Sequence, residues 1–188
     1  MLIGSQNARG VSLLEVLVAL VVASLGLMAF ASLQARSLRY TQVSQRRVQA
    51  HLLAEEFMER LRANALAAPD LGYYTFAQPF STQVSQAVPA AAKPCEGAAV
   101  VCSIDEMAAF DLAEVRTRVR DLMAPDGALV SRLDVSDTEG HTLDLWLAWR
   151  EPRPTDTDAA LRPAGECPAE LGVDDDMTVR CLRWRVRR

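Results

Sequence analysis

The chain has 188 residues, enough for one folded domain plus an appended segment. Half of them are apolar and the formal net charge is −4, so there is no chain-wide basic footprint of the kind that binds nucleic acid. Lys93 is the single lysine, and we read the preference for arginine as compositional rather than functional.

The first stretch of interest is Arg9-Gly10-Val11-Ser12-Leu13-Leu14-Glu15. Residues 16–35 follow without a charge, and at 1.5 Å per residue they reach about 30 Å, the thickness of a bilayer core. A secretory signal peptide would use Arg9 as its charged flank and Ala29-Phe30-Ala31 as its cleavage site. Its apolar core would be long, however, and Glu15 would be out of place. A plain single-span anchor has no use for Glu15 either, because an ionised group in hydrocarbon costs on the order of several kcal/mol. A third reading, given below, accounts for both Gly10 and Glu15.

Past residue 35 the helix continues. Val43, Ala50, Leu53, Ala54, Phe57, Leu61 and Ala65 recur at three- and four-residue steps and mark one face. No Gly or Pro interrupts residues 27–68, and Pro69 stops the helix. From Val11 it would be about 80 Å long. Its first half suits a membrane, and its second half suits packing on a globular head. Sustained heptads, which a coiled coil needs, are absent.

Residues 69–94 read as a loop whose Tyr73, Tyr74, Phe76 and Phe80 pack against the helix. Ser103-Ile104-Asp105-Glu106 is a capping-box pattern, and Asp111 with Glu114 repeats that spacing. The spacing predicts a second helix over residues 111–123, burying Val115, Val119, Leu122 and Met123. Ala124-Pro125-Asp126-Gly127 is a turn. Leu129, Ser131, Leu133 and Val135 alternate with Val130, Arg132 and Asp134. After a turn at Asp137-Thr138-Glu139-Gly140, Leu143, Leu145, Leu147 and Trp149 alternate in the same way. These two runs predict a hairpin. Residues 151–176 form a Pro- and Asp-rich loop, and residues 177–186 a last strand. The fold class is α+β: a long N-terminal helix packed on a small head with an antiparallel sheet.

Four cysteines are present: Cys95, Cys102, Cys167 and Cys181. An even count in an exported chain points to disulfides. Three pairings are possible, of which the local one joins Cys95 to Cys102 and Cys167 to Cys181. The spacings lack the paired short separations of zinc sites. No metal or other cofactor is expected. Asp174-Asp175-Asp176, and Asp134 with Asp137 and Glu139, fit no EF-hand spacing and read as solvated acidic loops.

His51 and His141 lie in no nucleophile motif and read as solvated surface. No G-x-S-x-G, Walker A or H-E-x-x-H is present, so an enzyme is not expected. Arg180, Arg183, Arg185, Arg187 and Arg188 form a basic strip. It reads first as a solvated strand edge that resists edge-to-edge pairing. The functional alternative is contact with an acidic neighbour or with DNA.

Gly10-Val11-Ser12-Leu13-Leu14-Glu15 resembles the class III signal of type IV pilins and pseudopilins. The resemblance implies a leader at residues 1–10, cut after Gly10 by a prepilin peptidase, and a mature chain that starts at an N-methylated Val11. Val11 departs from the usual Phe at that place, and the family's mid-helix proline is absent. Glu15 becomes the fifth mature residue, the acid that the family uses to register a subunit in the growing fibre. The implied pairing has a physical basis, because a carboxylate and a new α-amine attract strongly where the dielectric is low and each lowers the cost of burying the other.

The likeness continues through Ser24-Leu25-Gly26-Leu27, Leu33-Gln34, Ser37-Leu38-Arg39 and Ala54-Glu55-Glu56-Phe57-Met58-Glu59-Arg60-Leu61-Arg62-Ala63-Asn64, which resemble the PilV family of minor type IV pilins. It covers the N-terminal third well and the rest loosely. It implies a transmembrane and filament-core half-helix at residues 11–35, an amphipathic half at residues 36–68 and a periplasmic head at residues 69–188. A Cys167–Cys181 pair would match the C-terminal disulfide loop of many pilins.

The implied role is to help initiate or cap pilus assembly from the inner membrane. The implied partners are other minor and major pilins, the prepilin peptidase and the assembly platform; nucleic acid is not expected. A minor pseudopilin of type II secretion, or a DNA-binding minor pilin for uptake, is the alternative. Arg36, Arg39, Arg46 and Arg47 oppose this orientation under the positive-inside rule, but large domains translocate despite such charges.

Overall fold

The computed structural model describes residues 12–65, 70–97, 99–123, 125–134, 136–137, 141–151 and 165–187. The expected leader, the Pro69 stop, residues 138–140 of the expected turn and residues 152–164 of the Pro- and Asp-rich loop lie outside them. By contacts the chain divides into two units, Met1–Gln42 and Val43–Arg188. Helix α1, Leu13–Ala65, contributes residues to both.

In the first unit, every described residue from Ser12 to Gln42 is exposed within the chain. The helix is long and apolar enough to cross a membrane. Its hydroxyls are satisfied internally: Ser24 Oγ donates to Val21 O at 2.8 Å and Ser32 Oγ to Ala29 O at 2.7 Å. A polar side chain bonded back to its own helix adds little cost in an apolar setting.

In the second unit, α1 turns Ala50, Leu53, Ala54, Phe57, Met58 and Leu61 into the core. This is the face that the three- and four-residue steps mark, with Met58 added. The fold is α+β, with this part of α1 packed on a three-stranded antiparallel sheet in the order β1-β2-β3, as in the pilin fold. The strands are β1 Gly127–Leu133, β2 Thr142–Arg150 and β3 Val179–Arg187. β1 and β2 pair with Leu129 opposite Leu147, and β2 and β3 with Leu147 opposite Leu182.

The central strand is buried on both faces from Thr142 to Trp149. Leu143, Leu145, Leu147 and Trp149 join the α1 side of the core. Trp146 and Ala148 join a second cluster with Phe80, Leu171, Val173, Cys167 and Cys181. Alternation along β2 therefore separates two apolar layers, not an inside from an outside.

Two elements differ from expectation. The long second helix, here α3, runs over Ile104–Leu122 rather than from residue 111. Ser103 starts it: its N–H donates to Glu106 Oε2 at 2.9 Å, and its hydroxyl accepts the Glu106 N–H. A reciprocal cap satisfies two otherwise orphaned donors and fixes the helix start there. Asp111, seven residues into α3, is buried instead of capping.

The expected loop at residues 69–94 also holds structure, a 3-10 turn at Leu71–Tyr74 and a short helix α2 at Phe80–Ser85. Of its aromatics, Tyr74 packs edge-on against Phe57 of α1, with ring centroids 5.9 Å apart. Phe80 goes to the opposite face of the sheet, Phe76 lies under the Arg116 guanidinium, and Tyr73 stays exposed.

Candidate functional site

The site begins at the first described residue. Ser12 caps α1: its hydroxyl accepts the Glu15 N–H at 3.2 Å, and its carbonyl accepts the N–H groups of Glu15 and Val16. Ser12-x-x-Glu15 is thus half of a capping box, and it places the carboxylate of Glu15 in the first turn. An anion is favoured there by the helix dipole. Glu15 is exposed and has no ion-pair partner among the described residues. Beyond it the exposed side chains are apolar, among them Leu17, Leu20, Leu25, Met28, Phe30 and Leu33. Chemically the arrangement is one acid at the head of a long unburied apolar surface. Gly10 and Val11 lie outside the described residues.

The four cysteines all lie in the second unit as two local disulfides, Cys95–Cys102 and Cys167–Cys181. Cys167 and Cys181 are buried and tie β3 to the segment over the outer face of the sheet. Cys95–Cys102 closes a loop ahead of α3. Lys93 sits beside it, donating to Val101 O and to Glu106, both at 2.7 Å.

Polar chemistry in the head concentrates in two networks. In the first, the buried Tyr74 hydroxyl donates to Asp111 Oδ2 at 2.8 Å and accepts from Asn64 Nδ2 at 2.9 Å. Arg60 donates to the other Asp111 oxygen at 3.2 Å, and Asn64 also donates to Ile104 O. The last turns of α1 are thereby tied to the 3-10 turn and to α3. Burial raises the Tyr74 hydroxyl well above the usual tyrosine range, so it stays a donor to Asp111.

In the second network, Asp144 of β2 accepts from Arg183 and twice from Arg185, and Arg185 also pairs with Asp134. Arg180 pairs with Glu166 and Glu151. The basic strip is therefore not a simple solvated edge, because three of its arginines have acids of this same chain as partners. His51 is likewise not plain surface: its Nδ1 accepts the Trp184 indole N–H at 3.1 Å. No cluster of three metal-ligating side chains is found among the described residues.

The Asp144 network makes an acid-stability prediction. Burial alone would raise its carboxyl, but the Arg185 and Arg183 hydrogen bonds outweigh burial and hold it below the usual aspartate range. A carboxyl lowered by folding contributes stability that is complete above the unfolded value of about 3.9. That contribution is lost as pH falls through the lower folded value. Asp144→Asn should therefore lower the urea midpoint at pH 7 and narrow the loss between pH 7 and pH 3. Parallel titrations of the two proteins check this, and an unchanged pH dependence would refute it.

A span-length apolar helix with one acid in its first turn, together with an α+β head, is consistent with a pilin-type subunit. Comparison with known families supports that class. Residues 5–31 match the prokaryotic N-terminal methylation motif, and residues 32–113 match the Tt1218-like family, type IV pilin Tt1218. The two matches support a type IV pilin, a structural rather than enzymatic class of subunit. They imply processing by a prepilin peptidase and assembly with other pilins, and the apolar helix suggests membrane anchoring. No curated protein matches the chain, and neither does any solved structure.

Proposed function

We propose that this chain is a minor type IV pilin of the PilV kind, acting as a membrane-inserted subunit that helps to initiate or cap pilus assembly. The leader at residues 1–10 is removed after Gly10, and Val11 becomes an N-methylated terminus. The protein then waits in the inner membrane as a single span with its head in the periplasm. Glu15 meets the α-amine of a subunit in the growing fibre. The observation that carries the reading is Glu15, without an ion-pair partner among the described residues, in the first turn of a helix whose apolar surface those residues leave uncovered. The disulfides suit an oxidising compartment.

Intact mass spectrometry of the protein extracted from membranes tests the proposal. The expected species begins at Val11 and carries one methyl group on its amine. A species that keeps Met1, or one that begins beyond Ala31, would contradict it.

A further inference from the structure

The two edges of the sheet are finished differently. Along β1, Gln83 acts as a strand surrogate: its Nε2 donates to Leu129 O at 3.0 Å and its Oε1 accepts the Leu129 N–H at 3.0 Å. Two residues on, Phe76 and Ser131 exchange both backbone hydrogen bonds, at 2.7 and 2.8 Å. At Leu129 and Ser131 the β1 edge is thus closed by the chain's own groups. On the outer edge of β3, the Cys181 N–H donates to Glu166 Oε1 at 2.9 Å. Strand alternation turns the N–H groups of Arg183, Arg185 and Arg187 the same way. Among the described residues nothing accepts from them.

We propose that the edge of β3 from Arg183 to Arg187 docks an extended segment of another polypeptide, one with acidic side chains at alternate positions. An unpaired edge is a template for strand addition, in which backbone bonds give affinity and alternate side chains give choice. The side chains of Arg183, Arg185 and Arg187 share the face of Asp144. Those of Arg183 and Arg185 remain 46% and 51% exposed despite their acids. Arg183 and Arg185 pair with Asp144 and Asp134, and Arg187 has no acid partner among the described residues. Among these described side chains three arginines stand against two aspartates, so an acidic strand is the complement. A second copy of this chain is disfavoured, because antiparallel β3 edges would set arginine against arginine. The edge belongs to the head and its test needs no pilus. Failure here therefore leaves the pilin reading standing, and failure of that reading leaves this one standing.

The test uses the full chain in detergent micelles and a seven-residue peptide alternating glutamate with valine or threonine. Residue-resolved hydrogen exchange should show fast exchange at the Arg183 and Arg185 amides without peptide and at least tenfold slowing with it. A lysine-for-glutamate peptide should not bind, and Arg187→Glu should weaken the acidic peptide several-fold while leaving exchange in β2 unchanged. Slow exchange at those amides in the free chain would overturn the proposal, since the edge would then already be covered. Equal binding of both peptides, or no binding of the acidic one, would overturn it as well.

Discussion

Glu15→Leu should leave the protein in the membrane at its normal level and deplete it at least tenfold from sheared pili. Membrane insertion depends on the apolar run after Glu15, and leucine strengthens that run. What the substitution removes is the one group there able to recognise a charge. In a low-dielectric bundle, contacts among leucine, valine and alanine fix no particular register, whereas an amine paired with a carboxylate does. Glu15→Asp keeps the charge on a shorter stem and should recover part of the incorporation. The N-terminal mass of each variant separates the causes: cleavage at Val11 with loss from pili places the defect in assembly, and a retained leader places it in processing. Normal incorporation of Glu15→Leu would end the assembly role given to this residue.

The parts of this molecule that sequence makes legible are those set by neighbours within four residues. The buried face of α1, from Ala50 to Leu61, follows from helical period. The β1–β2 pair follows from alternation about a turn. The Ser12 cap is not read from the sequence, although Ser12 and Glu15 have the spacing of Ser103 and Glu106. Beside a span-length apolar run the acid reads first as a signal and not as a helix start.

Less legible is whatever depends on distant parts of the chain. Asp144 looks like an ordinary outward residue of an alternating strand. Its partners lie 39 and 41 residues away and arrive only when β3 pairs with β2. Asp111 has the spacing of a cap residue, but the Tyr74 hydroxyl 37 residues earlier draws it inward. Phe80 and Phe76 sit four residues apart on a short segment that wraps round the β1 edge, so they meet different surroundings. Nothing in their own spacing tells them apart.

The head's stability should rest heavily on Phe57, and Phe57→Ala is expected to cost about 3–5 kcal/mol. Phe57 is fully buried and shares its cluster with Leu145, Leu147 and Trp149 of the central strand. Truncation removes the ring from that layer and also the edge-on contact with Tyr74, an arrangement worth about 0.5–1.5 kcal/mol beyond area in general. Relaxation into the space is hindered, because Tyr74 is held by Asp111 and Asn64 and the strand behind is fixed on both sides. Against a domain stability of about 5–15 kcal/mol, such a loss is a large fraction. Leu52→Ala, one position from the buried Leu53 but 65% exposed, should cost under about 0.5 kcal/mol. Urea unfolding of the full chain in detergent, followed by tryptophan fluorescence, compares the two, with Trp149 reporting from the same cluster. If Phe57→Ala cost no more than Leu52→Ala, the helix would not be held to the sheet by this face.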